Sequence, residues 1–210
     1  MKAFRAIIHT TLFTLLSVGC ATILGIEDAE LANDGAGGTS GGGTNGSGGS
    51  AGGAGAEASC EDYCDAVMEN CTGERAMYSG LQNCLDLCGT LPVGDPGDPQ
   101  GNTVACRLAE ATAAGEDPEE HCPFAGLGGA KVCGENCPAF CGAMLEICPG
   151  KYPSNAACLD DCESLDDLGS FKLTDTEGDT VQCRIYHVNA ATELTDPHCR
   201  HAAGEQLCVP

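Results

Sequence analysis

The chain has 210 residues, among them 17 cysteines and 30 glycines, with no tryptophan and only nine Tyr and Phe together. Its formal charge of −22 at pH 7 repels nucleic acid and anionic lipid headgroups. Such cysteine density marks a disulfide scaffold, which persists only where cellular thiols do not reduce it, and it sets the chain apart from proteins built on an ordinary hydrophobic core.

At the start, Lys2 and Arg5 precede an apolar run at 7–16, and the small residues Ser17, Val18 and Gly19 lead to Cys20. This pattern predicts an export signal over residues 1–19. A small-residue run ending at a cysteine resembles the lipobox of bacterial lipoproteins, here with Ser17 where that family usually has leucine. The resemblance implies a lipidated Cys20 at the mature N-terminus and an envelope location, in the outer membrane. The alternatives are plain secretion after cleavage at Gly19, or a retained anchor, since 6–26 has no Asp, Glu, Lys or Arg. Parity favours the lipid, because setting Cys20 aside leaves sixteen cysteines to pair. The segment 23–28 also resembles the start of myxobacterial lipoproteins, a likeness that carries no activity with it.

Residues 20–59 read as the anchor and a linker, almost wholly Gly, Ala, Ser, Thr and Asn from 32 onward. That composition buries too little apolar surface to order itself, so a tether with a reach on the order of 30 Å is expected.

The remaining cysteines form two series. Cys60, Cys64, Cys71, Cys84, Cys88, Cys106, Cys122 and Cys133 are followed by Cys137, Cys141, Cys148, Cys158, Cys162, Cys183, Cys199 and Cys208. Their steps are 4, 7, 13, 4, 18, 16, 11 and 4, 7, 10, 4, 21, 16, 9. Gly101, Thr103, Val104, Cys106 and Arg107 recur as Gly178, Thr180, Val181, Cys183 and Arg184. Ala113, Ala114, Glu116, His121 and Cys122 recur as Ala190, Ala191, Glu193, His198 and Cys199. A tandem repeat is therefore expected, with modules at 60–134 and 135–210.

Helical spacing places Cys60, Cys64, Val67, Met68 and Cys71 on one face, with Cys137, Cys141, Met144, Leu145 and Cys148 matching them. A second helix carries Leu81, Cys84, Leu85 and Cys88, matched by Cys158, Cys162 and Leu165. Cysteines at i and i+4 share a face, so two antiparallel helices can be bridged twice. The expected pairs are Cys60–Cys88, Cys64–Cys84, Cys137–Cys162 and Cys141–Cys158. This twin Cys-x3-Cys spacing resembles the helical hairpin of the small mitochondrial Tim chaperones, by spacing alone. A third helix is expected after Asn102 and Asp179 as N-caps, with Val104, Leu108 and Ala111, or Val181, Ile185 and Val188, on its packing stripe. Cys106 and Cys183 fall on another face. For the other four cysteines of each module, Cys71–Cys106 and Cys122–Cys133 and the corresponding pairs of the second are expected, although spacing does not choose between connectivities. The fold class is thus small, disulfide-rich and all-α, with about 3 kcal/mol from each bridge compensating for a thin core.

Catalytic patterns are missing from the sequence: there is no nucleophile elbow, no His-Glu-x-x-His, no Cys-x-x-Cys-His and no Cys-x2-Cys zinc cluster. No enzyme activity and no cofactor are expected. The candidate metal or haem ligands are His187, His198 and His201, near Tyr186. Their counterparts in the first module are Glu110, His121 and Phe124, so surface and packing roles are the expectation. The acidic loops at Asp95 and Asp98 and at Asp175, Glu177 and Asp179 lack the EF-hand ligand pattern and read as solvated surface. The function expected is that of a non-enzymatic, lipid-anchored envelope protein displaying acidic modules to a cationic protein partner or in a structural role. Metal or haem binding through the second module's histidines is the alternative.

Overall fold

Helix α1 (Cys60–Asn70) begins where the Ser59 hydroxyl accepts a hydrogen bond from the Asp62 amide, with Glu61 and Asp62 against the positive end of the dipole. The computed structural model describes residues 57–208, and all regular elements among them are helical. After α1 come α2 (Leu81–Cys88), α3 (Val104–Ala113) and α4 (Pro118–Ala125), then α5 (Asn136–Ile147), α6 (Asn155–Cys162), α7 (Val181–Ala190) and α8 (Thr195–Ala202). The protein is a small disulfide-rich all-α fold. Cys20 and the linker before residue 57 lie outside the described residues.

The two hairpins are bridged outer to outer and inner to inner. Cys60–Cys88 and Cys64–Cys84 join α1 to α2, and Cys137–Cys162 and Cys141–Cys158 join α5 to α6, with Cα separations of 5.7 to 5.8 Å. The other pairs differ from the spacing-based expectation. Cys71 joins Cys122 and Cys106 joins Cys133, in place of Cys71–Cys106 and Cys122–Cys133. The reason is the face on which α3 packs. Val104 and Ala111 are buried, and Asn70 at the end of α1 donates to the Ala111 carbonyl at 2.9 Å. Cys106 therefore points away from Cys71, toward the segment carrying Cys133, and α4 brings Cys122 to the end of α1 instead. Cys148–Cys199 and Cys183–Cys208 give the second four helices the same connectivity.

Helix α4 and its counterpart α8 have no precedent in the cysteine spacing. The Asp117 carboxylate accepts from the Glu120 amide, Pro118 opens the helix, and Glu119 and Glu120 follow in its first turn. The N-caps of α3 and α7 also differ from expectation. Thr103 and Thr180, one place after Asn102 and Asp179, accept from the amides of Cys106 and Cys183.

The core is made of bridges, small residues and a few large side chains. Tyr63 on α1 and Phe140 on α5 hold matching positions and are fully buried, whereas Leu81, expected on the apolar face of α2, is 47% exposed. The Tyr63 hydroxyl donates to the Ala125 carbonyl at 2.6 Å and meets the Tyr78 hydroxyl at the same distance. Arg107 is buried too. Its guanidinium donates to the carbonyls of Gly126, Leu127 and Thr103 and to Asn102, closing the end of α4. Arg184 does the corresponding work with the Ala202 carbonyl, Tyr152 and Asp161, which accounts for the recurrence of this arginine.

The two four-helix sets share one core. Asn83 on α2 donates to the Asn189 carbonyl at 2.9 Å and to the Thr192 hydroxyl at 2.8 Å. Asn189 donates back to the Met77 carbonyl at 3.1 Å, and both asparagines are buried. Between the sets the chain turns at Gly134, whose φ is +91° and where a Cβ would lie 2.6 Å from Asn102 Cβ.

Candidate functional site

Helices α7 and α8 lie side by side and bring three histidines together. His187 comes from α7, and His198 and His201, three residues apart, come from one face of α8. One ring nitrogen from each lies within 4.8 Å of the others. The His187 and His198 rings are stacked with centroids 5.1 Å apart, and the His201 ring stands edge-on to His187 at 4.7 Å. His187 and His201 are buried, while His198 is part-exposed. Tyr186 packs edge-on against His187.

The hydrogen bonds define the protons. His187 Nε2 lies 3.1 Å from the Thr176 carbonyl, which only accepts, so Nε2 carries the hydrogen and Nδ1 keeps its lone pair. His198 Nδ1 lies 2.9 Å from His187 Nδ1 and donates to it. His201 Nε2 donates to Gln206 Oε1 at 3.0 Å, and its Nδ1 is buried without a hydrogen-bond partner. Burial pushes the His187 ring down to about 4 and lowers His198 as well, so both are neutral at neutral pH. Three ring nitrogens this close together can hold a single metal ion.

The sulfurs of Cys183 and Cys208 also come within 4.8 Å of a His187 ring nitrogen, but they are joined to each other and offer no thiolate. All sixteen cysteines from Cys60 to Cys208 are bridged. Eight bridges indicate an oxidising environment outside the cytoplasm. No helix among the described residues is long and apolar enough to cross a membrane. The Thr176 carbonyl and Gln206, which hold the far nitrogens of two rings, carry no signal in sequence, because their role depends on how distant segments meet.

The acidic residues are on the surface. With Glu27, Asp28, Glu30 and Asp34 set aside, the described residues carry 27 of the 31 acidic side chains, and with Lys2 and Arg5 set aside, seven of the nine basic ones. None of those 27 is buried, whereas Arg107 and Arg184 are. The surface is therefore more one-sided than the sequence count. In the acidic loops, Asp98 and Asp175 accept from the amides of Gln100 and Lys172 and stabilise their own turns.

Fold and bridges define the class: an exported-type, disulfide-rich, all-α protein with a three-histidine cluster. Residues 50–136, which cover the first four helices and end at the first residue of α5, match the BfoA family C-terminal domain. No curated protein and no solved structure matches the chain.

Proposed function

We propose that this chain is a non-enzymatic envelope lipoprotein, held by a lipid on Cys20 and a flexible linker, whose duplicated modules present a rigid acidic surface to a cationic protein partner. The observation that carries this reading is the separation of charge by depth: the acidic side chains stand outside, on a scaffold whose cysteines are all joined in bridges, while two of the few arginines are withdrawn into the core. A surface of one sign steers an oppositely charged partner, and bridges keep its charges in place without further ordering cost on binding. The repeated connectivity, and a family match that stops where the second helix set starts, support a tandem duplication. The export pattern over 1–19 and the even number of cysteines left after Cys20 support the anchor.

The test is the intact mass of the protein from the membrane fraction, before and after reduction. The expected result is loss of residues 1–19, acyl mass on Cys20, and a gain of two hydrogens for each of eight bridges. An unacylated chain in the medium overturns the anchor, and thiols that alkylate without reduction overturn the stapled scaffold. Cross-linking through surface carboxylates in intact cells reads the partner. Products that form unchanged when the cross-linking is carried out in high salt would refute an electrostatic contact.

A further inference from the structure

Two helix sets built to one plan differ at one paired contact in a way the fold does not require. In the first set, His121 Nδ1 meets the Glu110 carboxylate at 2.7 Å, and Phe124 stands one turn on. At the matching positions of the second set, His198 meets His187 and the phenylalanine has become His201. A charge-assisted pair holds α3 to α4 well, and a neutral contact between two imidazoles is weaker. Packing alone therefore explains the first arrangement and leaves the second without a reason.

We propose that His187, His198 and His201 form a binding site for one divalent ion of the zinc and copper class, held by three imidazole nitrogens. The far nitrogens are already used as such a site requires. His187 gives its Nε2 hydrogen to the Thr176 carbonyl and His201 gives its own to Gln206, which sets both tautomers; the His201 Nδ1 lone pair is free, and the His187 Nδ1 lone pair is released when the part-exposed His198 ring carries its hydrogen on Nε2 instead of Nδ1. The buried His201 Nδ1 has no other partner in the fold.

The spacing fits with small ring movements. Tetrahedral coordination at 2.0–2.1 Å places imidazole nitrogens about 3.3 Å apart. The present separations, from 2.9 Å between His187 and His198 up to 4.8 Å across the set, bracket that value. The neighbouring Cys183 and Cys208 sulfurs are held in their bridge, so the donors are imidazole nitrogens alone, which favour borderline ions over the oxygen-seeking Mg2+ and Ca2+. Entry is from the His198 side, where its part-exposed ring lines a depression with Ser79, Leu173, Tyr186 and Glu193. The acidic surface raises the local concentration of any cation. A fourth coordination position on that side would take water or a group of a partner protein.

The test is calorimetric titration of the oxidised mature chain with Zn2+, with Co2+ absorption reporting coordination. One Zn2+ per chain and the visible bands of tetrahedral Co2+ are expected. His187→Glu with His201→Phe rebuilds the arrangement that the first helix set already tolerates, with the introduced carboxylate in place to pair with His198, and should fold with all eight bridges while Zn2+ affinity falls by at least about a hundredfold. If the wild type shows no stoichiometric Zn2+, or if the double variant binds as tightly as wild type, so that surface carboxylates account for the uptake, the proposal fails. Should the double variant not fold, His198→Gln at the part-exposed ring is decisive: loss of the Co2+ bands supports the site, and wild-type affinity overturns it.

Discussion

The Cys71–Cys122 and Cys64–Cys84 bridges allow a controlled comparison. All four sulfurs are buried, so replacing either pair with alanine leaves a similar cavity, and the difference between the variants isolates the denatured chain. Cys71–Cys122 closes 51 residues, and the neighbouring Cys106–Cys133 bridge shortens that path little, so its loss should cost about 4 kcal/mol. Cys64–Cys84 spans 20 residues, but it is nested inside Cys60–Cys88. With the outer bridge intact, the short way between its ends runs over only about eight residues, and the entropy removed corresponds to about 2.5 kcal/mol. The C71A/C122A variant should therefore be the less stable by about 1.5 kcal/mol in urea denaturation without reductant. Equal losses, or a larger loss for the inner pair, would refute the view that these bridges act by restricting the unfolded chain.

Three further outcomes follow from single contacts. Arg107→Met strands the carbonyls of Gly126 and Leu127, and urea denaturation should show a loss of about 2–4 kcal/mol, only partly recovered by Arg107→Lys, whose single ammonium does not reach both. Asn83→Ala removes two buried hydrogen bonds between the helix sets; it should cost about 1–3 kcal/mol and increase proteolysis near residues 128–136. The hydrogen bond to Glu110 raises the His121 pKa above its ordinary value, so the pair's contribution is complete below about pH 6.5 and is lost as pH rises through the raised value. Glu110→Gln should thus lower stability at pH 5, by no more than about 1 kcal/mol for this partly exposed pair, and leave it unchanged at pH 9. A variant equally destabilised at both values would show that the pair acts through packing rather than charge.

The hairpins were legible because their geometry is local. Cysteines four apart share a helical face whatever the rest of the chain does, so Cys60, Cys64, Cys84 and Cys88 could be paired from periodicity alone, as could Cys137, Cys141, Cys158 and Cys162. The all-α class followed from the same spacing. Helix α4 could have been found too, since Asp117, Pro118, Glu119 and Glu120 form a start signal that stood outside the cysteine pattern. Helix α8 has no side-chain cap, and without it the three-residue step from His198 to His201 carries no meaning.

What sequence by itself determined is therefore what one helical turn sets: the twin bridges and the packing stripe of α3 and α7. Tertiary structure decided which of Cys71, Cys106, Cys122 and Cys133 meet, because that depends on the face α3 turns to α1. It also decided that the two helix sets share one core through Asn83 and Asn189, and that the imidazoles of α7 and α8 converge. Contacts between segments far apart in the chain are selected by the packing of whole faces, and no local spacing encodes that choice.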